Sequence, residues 1–493
     1  MNLLTDDFIS TTAGKISLKT LLTSEQNYQL QYFFDETQLA MLQMLSSLAT
    51  VVLKPTLAEL RGYLKGGVNA QAYVDGLAKV EVSLFDENYF MRSTSSNDDK
   101  AYLAPITKMV SGVECGSSAN ALGLFSEIAQ AKVICPDCTH VLNYNLHMNI
   151  KGECFSKFGA TGIRGGGAIS TLISANNLKR TVISNIVAYD HFNAKRGYES
   201  KESTLNDQFM WQVAPQDEIY FSHDIGLHRG LFALAYHVDF SVIEENCMCD
   251  VCGHQAQQSV KEYSYIKYKG SYGSTKKGRD ANAGWWPHPY TPITLREEGV
   301  FPICARDQNW QSWQQFTAYV IGSEMNKATI EPAYIIEQYL QLGGNKINLL
   351  VGGNIADQGS ITGRVYDLYS MPSDWNKNLS KVTQVIDAGL AVKEKFSLAF
   401  NKIFGVGYDK NFVGGIKEQA MNRYTSNAQQ IIQQLLLDVD KKETRQMRKD
   451  AIEALQSEAK NIYSSVIKKY QHDLPLFKAL IKGEVILRKK LAN

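Results

Sequence analysis

The chain has 493 residues, 44% of them hydrophobic and 20% charged, an ordinary balance for packed globular domains and long enough for two to four of them. Lysine and arginine total 51 against 50 aspartate and glutamate, so the net charge of +1 argues neither for nor against a nucleic-acid partner. The opening residues Met1 to Asp7 lack a basic segment followed by an apolar core, and no stretch approaches 18 consecutive apolar residues. Neither a signal peptide nor a membrane span is therefore expected, and the expected compartment is the reducing cytoplasm.

Taken in chain order, the first strong element is a helix over 36–53. Its segment 39–53 is the most apolar early stretch, but Gln43, Ser46, Ser47 and Thr50 interrupt it, as in a buried helix of a water-soluble core. A second helix is predicted over 70–79. Cys135-Pro136-Asp137-Cys138 follows, the first of two Cys-x-x-Cys pairs. The loop Gly162-Ile163-Arg164-Gly165-Gly166-Gly167 has the look of a phosphate cradle, yet it is neither a Walker A loop nor a dinucleotide fingerprint, and a plain turn is the competing reading. The β-branched run Thr181-Val182-Ile183-Ser184 predicts a strand. The second pair is Cys249-Asp250-Val251-Cys252, followed by Gly253. Trp285, Trp286, His288 and Tyr290, set among three prolines, could stack on bases or simply cover the core. Ile347-Asn348-Leu349-Leu350-Val351 predicts a strand, and the stretch 352–361 reads as a strand, a tip at Gln358 and a second strand. No internal repeat or low-complexity tract appears.

Four thiolates in two Cys-x-x-Cys pairs match the ligand set of one closed, tetrahedral zinc site, with Cys135, Cys138, Cys249 and Cys252 as ligands. More than a hundred residues separate the pairs, beyond the usual zinc-ribbon spacing, so zinc would clip two distant segments together. A catalytic deaminase zinc would need a His-x-Glu or Cys-x-Glu motif upstream of Pro-Cys-x-x-Cys, which is absent. Cys247 is an alternative ligand. Cys115, Cys154 and Cys304 read as small core residues. No nucleophilic triad, nucleoside-triphosphate motif or carboxylate dyad emerges, so no hydrolytic apparatus is visible.

The C-terminal segment changes character. From Met371 to Asn493 there are 21 Lys and Arg against 13 Asp and Glu, a net of +8, while the remainder carries 30 against 37, a net of −7. Val382, Val385, Gly389, Val392, Phe396, Ala399 and Ile403 are spaced three and four apart, and Ile452, Leu455, Ala459, Ile462 and Val466 repeat the spacing. Ile431, Ile432, Leu435 and Leu436 mark another helix, and Asp473 with Pro475 opens the last one. Four long helices with short connections predict an antiparallel bundle. Lys441, Lys442, Arg445, Arg448 and Lys449 fall near one helix start, off the apolar stripe, free for phosphate or for water. The fold class expected is α+β: a large, irregular mixed domain over 1–372 holding the zinc site, then a C-terminal four-helix bundle over 373–493.

These pieces stand in a telling order. The start Met1-Asn2-Leu3-Leu4, the split cysteine pairs, Ile163-Arg164-Gly165-Gly166, His228-Arg229-Gly230-Leu231-Phe232, Trp286-Pro287-His288-Pro289, the hairpin over 352–360 and the final bundle together resemble the large subunit of the type I-E CRISPR Cascade complex, the CasA family. The resemblance spans essentially the whole chain. It implies a non-catalytic subunit that joins a crRNA-guided complex, checks double-stranded DNA for a short PAM, helps open the duplex for an R-loop, holds the displaced strand and recruits a helicase-nuclease; the guide supplies the remaining sequence reading. Partners implied are the other Cascade subunits with crRNA, the target DNA and that nuclease, with no membrane. By the same resemblance Gln358, between Asp357 and Gly359, would be the wedge. Lys269 would be the lysine finger, with Lys267 as the alternative. The glycine-rich reading loop falls on 155–159, where Ser156 and Lys157 replace glycines and Lys157 would reach phosphate instead. A guide-end loop falls on 124–127. Two rival classes are a zinc-containing nucleic-acid enzyme and a protein-only scaffold.

Overall fold

The computed structural model describes residues 1–92, 101–110, 131–149, 162–196, 207–212, 219–221, 225–268, 271–272, 285–297, 299–305, 310–325, 327–357 and 360–489. The chain divides into two compact units. The first comprises Met1–Gln308, Gly322–Gly343 and Leu350–Asp367; the second comprises Asn309–Ile321, Gly344–Leu349 and Leu368–Asn493.

The first unit opens with a small hairpin, β1 (Ile9–Thr11) and β2 (Gly14–Ile16), and then four helices: α1 (Leu18–Thr23), α2 (Asp35–Leu53), α3 (Leu57–Gly66) and α4 (Ala70–Leu77). Local chemistry fixes their starts. Ser17 and Asn69 each accept a backbone N–H of the first turn, and Thr56 with Glu59 forms a reciprocal capping box. The expected helices over 36–53 and 70–79 are α2 and α4. Nearly every residue of α2 is buried. Three of its four polar interruptions are bonded: Gln43 Nε2 donates to Ser170 Oγ (2.8 Å), Ser46 Oγ to Val182 O (3.3 Å), and Thr50 Oγ1 accepts from Val187 N (3.0 Å), while the buried Ser47 hydroxyl has no hydrogen-bond partner among the described residues. Burial of a polar group is tolerated when such a partner exists. Among the described residues no single helix is long and apolar enough to cross a membrane.

After strand β3 (Tyr102–Pro105) come helix α5 (Pro136–Met148), strand β4 (Ser170–Ser174) and helix α6 (Leu178–Ser184). Helix α6 corrects a sequence expectation, because Thr181 to Ser184 lie in a helix and not a strand. Asn177 caps it by accepting Arg180 N (2.8 Å), and Val182 and Ile183 bury their branched side chains under α2, so packing overrides β propensity. Strand β3 is one edge of a three-stranded antiparallel sheet whose centre is Ser259–Lys267 and whose other edge is Tyr236–Ile243, with a register shift between Phe240 and Val242. The expected strand at 347–351 opens Ile347–Asp357, which neighbours Ser360–Met371 on one side and β4 on the other. Residues 358–359 alone connect the two long strands.

In the second unit four helices form the C-terminal bundle: Leu379–Phe400, Lys410–Leu436, Thr444–Lys469 and Leu474–Arg488. Asp409 and Asp473 cap the second and fourth. Every residue of the stripe from Val382 to Ile403 is buried. The third helix is rotated slightly from expectation: its buried seam is Met447, Ala451, Leu455, Ala459, Ile462 and Tyr463, with Ile452 and Val466 half-buried at the margin. Gly389 lets a helix pass close over Trp313, since a Cβ there would lie 2.7 Å from the indole ring.

Candidate functional site

Four thiols converge in the first unit. Cys135 sits at the N-terminal boundary of α5 with Pro136 beginning the helix, and Cys138 N donates to Cys135 O (3.1 Å). The second pair lies on a turn between the short paired strands Cys247–Met248 and Gln255–Ala256. There Cys249 N donates to His254 O (3.0 Å) and Gly253 N to Cys249 O (2.8 Å). Gly253 takes φ +74°, so the turn favours glycine, and a Cβ on it would push on the exposed Phe33 ring 2.7 Å away.

The sulfur geometry matches a metal and not a disulfide. Cys135 Sγ lies 3.8 Å from Cys252 Sγ, Cys138 Sγ lies 3.7 Å from Cys249 Sγ, and all four lie within 4.8 Å of one another. A disulfide needs about 2.05 Å. Four sulfurs at ~2.3 Å from one zinc ion stand about 3.8 Å apart. All four side chains are buried. Cys247, the alternative ligand, is outside the cluster; its thiol lies 3.4 Å from Gln258 O. Cys304 is half-buried, with its thiol against Gly166 O, while Cys115 and Cys154 lie outside the described residues.

Three other segments clasp the cluster. Asp250 accepts from Lys132 N (2.8 Å) and Val133 N (2.9 Å), tying the second pair to the chain just before the first. Gln31 Nε2 donates to Cys252 O (2.8 Å), and Phe33 N donates to Val251 O (2.9 Å). Lys15, on β2, pairs with Asp137 inside the first Cys-x-x-Cys. The thiols polarise one another. Hydrogen bonds from Cys135, then Cys138 and Cys249, pull the Cys252 thiol down, and those from Cys135 and Cys138 bring Cys249 to about 7. Cys138 is pushed up by its bonds to Cys135, Cys249 and Cys252 and by burial. A closed, buried set of soft ligands of this kind can hold a divalent metal ion and leaves no open position for substrate.

Of the residues expected to touch DNA, Lys269, Gln358, Gly359, Ser156 and Lys157 lie outside the described residues, as does the loop over 124–127. Asp357 ends the strand Ile347–Asp357. Lys267 ends the central strand Ser259–Lys267 and is exposed beside Tyr236, its register partner. The loop 162–167 is no phosphate cradle: Arg164 is buried and its guanidinium bonds to protein. Trp286, His288 and Tyr290 are buried as well, and Trp286 Nε1 donates to Ile225 O (3.0 Å), so that run covers the core. In the bundle, Lys441, Lys442 and Lys449 pair with Asp438, Asp450 and Glu453, and Arg448 donates to Gln384. Sequence reasoning missed the buried role of Arg164 and the Lys15–Asp137 pair; only the charged residue inside Cys135-Pro136-Asp137-Cys138 hinted at the latter.

The model of the family CRISPR-associated protein Cse1 matches residues 2–465. Among solved structures, the chain is similar to Thermus thermophilus CasA (Cse1), with 14% identity and a TM-score of 0.71, covering 99% of this chain and 98% of that one. It is also similar to Cse1 from Acidimicrobium ferrooxidans, with 12% identity and a TM-score of 0.63 over 99% and 97% of the two chains. A chain of a structure titled "CRISPR RNA-guided surveillance complex" is similar at 13% identity and a TM-score of 0.66, over 99% of each chain.

Proposed function

The chain belongs to the CRISPR-associated Cse1 family, and from that premise we propose that it is the large subunit of a type I-E, crRNA-guided surveillance complex, acting by binding and not by catalysis. The observation that carries the reading is the end-to-end match in fold, over 99% of each chain, to a component of such a complex. Within it, the subunit inspects double-stranded DNA for a PAM and starts its opening. Lys269 enters the groove, Ser156 and Lys157 approach the flanking backbone, and Gln358, held between Asp357 and Gly359 where two long strands meet, wedges the adjoining pair. The minor groove separates mainly A·T from G·C, so a few such contacts give relaxed reading. Unstacking at the wedge costs a few kcal/mol, which phosphate contacts offset. The subunit then holds the displaced strand on basic residues of the bundle and presents a surface to a helicase-nuclease.

Zinc fits the four-cysteine cluster, on sulfur spacing and ligand softness. Cys135, Cys138, Cys249 and Cys252 would hold it. Bound there, it supplies a cross-link between distant segments and no reactive centre.

The test is reconstitution. A complex assembled with its crRNA should bind duplex targets with a strong dependence on randomised flanking bases only when this chain is present. Failure of the chain to join a crRNA-containing complex refutes the reading. Turnover of DNA by the purified chain alone would favour a zinc-containing nucleic-acid enzyme instead.

A further inference from the structure

The second and third bundle helices, Lys410–Leu436 and Thr444–Lys469, leave a cleft between them. Its floor is apolar, with Ile416 and Ala420 from one helix and Ile462 and Val466 from the other. Its rim carries Arg423 and Lys469, and among the described residues none that lines it is acidic. The same pattern stands on both helices. Ile416, Ala420 and Arg423 are spaced at i, i+4 and i+7, and so are Ile462, Val466 and Lys469, so each helix presents two apolar residues and then a cation on one face. The volume, about 170 Å³, is roughly ten times the ~10–15 Å³ that one water needs, which is room for a flat ring.

Among the described residues neither cation meets a carboxylate. Arg423 Nη1 lies 3.5 Å from Ser465 Oγ, and Lys469 Nζ lies 5.5 Å from the centre of the Tyr470 ring. The start of the third helix differs, since Lys441, Lys442 and Lys449 there already pair with Asp438, Asp450 and Glu453. Arg423 meets Ser465 and Asn427 meets Glu458, so the two helices run antiparallel. That places the cations about one turn apart, roughly 6 Å along the axis, at opposite ends of the floor. Aromatic rings continue the cleft. Tyr470 in its lining meets Phe412 edge-on at 6.4 Å, and Phe412 meets Tyr408 at 5.9 Å. Phe412 is 48% and Tyr408 38% exposed. Phe404 is exposed as well, with Lys417 Nζ 6.0 Å from its ring centre. Rings that only closed the bundle would be buried. Rings in contact, open to water and interleaved with cations, suit bases that stack while phosphates meet the charges.

We propose that this cleft seats one nucleotide of a single strand: its base lies on the floor against Tyr470, its two flanking phosphates meet Arg423 and Lys469, and the next base stacks on Phe412. The inference rests on the strand-holding role given above and names the residues that perform it. A base inside a duplex has both faces stacked and its edge paired, so it cannot enter, and the site separates single strands from double strands. An acidic peptide would satisfy the cations equally well but would leave the exposed rings without a stacking partner.

The experiment uses the purified full chain and a short labelled oligothymidine, with an abasic strand of equal length and the matching duplex as comparison probes. The wild type should prefer the oligothymidine over the abasic strand by about tenfold, near the low end of what one stacked base contributes. Arg423→Gln combined with Lys469→Gln should lower the slope of log affinity against log salt by about 1.4, twice the ~0.7 per phosphate of single strands. Phe412→Ala should keep that slope and the affinity for the duplex, and should cut the preference over the abasic strand severalfold. Lys478→Gln with Lys482→Gln removes the same charge from the exposed side of the fourth helix and should leave slope and preference unchanged. The inference is overturned if the wild type binds the abasic strand as well as the oligothymidine, if the two double variants lose slope equally, or if Phe412→Ala keeps the full preference or loses the duplex equally. If the cleft variant fails to fold, Phe412→Ala decides alone. Polyglutamate that displaces the label as well as unlabelled strand would assign the cleft to an acidic peptide, and thymidine monophosphate that does so would assign it to a free nucleotide; either result overturns the inference. A wild-type chain that binds no single strand overturns the strand-holding reading itself, and this inference with it.

Discussion

Replacing Cys138 by serine tests the metal clip most directly. The cluster joins positions 111 residues apart, as from Cys138 to Cys249. Cross-linking a loop of about 100 residues removes roughly 4.7 kcal/mol of chain entropy from the unfolded state. A three-thiolate remnant keeps part of that constraint, but the buried serine hydroxyl adds a desolvation cost of about 1–3 kcal/mol, so a loss of about 3–5 kcal/mol is expected for the unit that holds the site. For a large domain each kcal/mol moves the melting temperature by about 2–4 °C, so the transition of that unit should fall by about 6–10 °C at the lower rate. Elemental analysis under non-chelating conditions should find one zinc per wild-type chain and less in the variant. A chelator should shift the wild-type transition by a similar amount, and Cys247→Ser should leave both measurements unchanged, because Cys247 stands outside the cluster. Wild-type protein without zinc, or a Cys138→Ser variant that melts with the wild type, would refute the clip.

Three further outcomes follow from the same structure. In the assembled complex, Gln358→Ala should impair R-loop formation on duplex DNA yet spare binding to a target already open at the PAM-proximal end; equal losses on both would show that Gln358 is no wedge. Neutralising Lys441, Lys442, Arg445, Arg448 and Lys449 together should weaken DNA binding evenly across sequences and flatten its salt dependence, by less than five full contacts because Asp438, Asp450 and Glu453 already pair with three of them. An unchanged salt slope in a folded, assembled variant would mean that this helix start is only solvated. Acid should destabilise the first unit early: burial lowers His140 and His147 to about 3 and His288 well below its ordinary value. At Ala235 and Tyr290 a backbone N–H points at Nδ1 of His147 (3.0 Å) and His288 (3.3 Å), which holds those rings neutral. The unfolded chain takes up these protons near pH 6.5 and the folded one does not, so stability is complete above that pH and falls as pH drops from there toward 3. Each histidine should cost on the order of 2 kcal/mol at pH 5, read as a falling denaturation midpoint; a midpoint that is flat from pH 7 to 5 would contradict it.

The parts of the fold that were legible in the sequence are those where one short-range rule decides. Helix α2 announces itself as a long apolar run with polar interruptions, the stripe from Val382 to Ile403 by period, Asp473 and Pro475 by cap chemistry, and the cysteine pairs by ligand spacing. Thr181 to Ser184 misled because a run rich in branched residues carries strand propensity, while Asn177 and the underside of α2 impose a helix. Arg164 misled in the opposite sense. Its glycine neighbours suggest an open loop, but its acceptors come from positions 148, 149, 169, 170 and 291, and no local pattern records such a gathering. The third bundle helix shows the smaller error of a right period with its seam slightly turned, since spacing gives the stripe and only its neighbours fix which edge is deepest.

The separation of the two cysteine pairs also sets a clock on synthesis. Cys138 leaves the ribosome 111 residues ahead of Cys249 and Cys135 117 ahead of Cys252, an interval on the order of ten seconds at ordinary elongation rates. During that interval two thiols wait without the other half of their pocket. The delay extends further, because the first unit also draws on Gly322–Gly343 and Leu350–Asp367. The first unit therefore lacks part of its chain until synthesis has passed Asp367. A nascent chain stalled before Cys249 has only two of the four cysteines of the cluster, so the growing polypeptide is the stage at which that pocket cannot yet close.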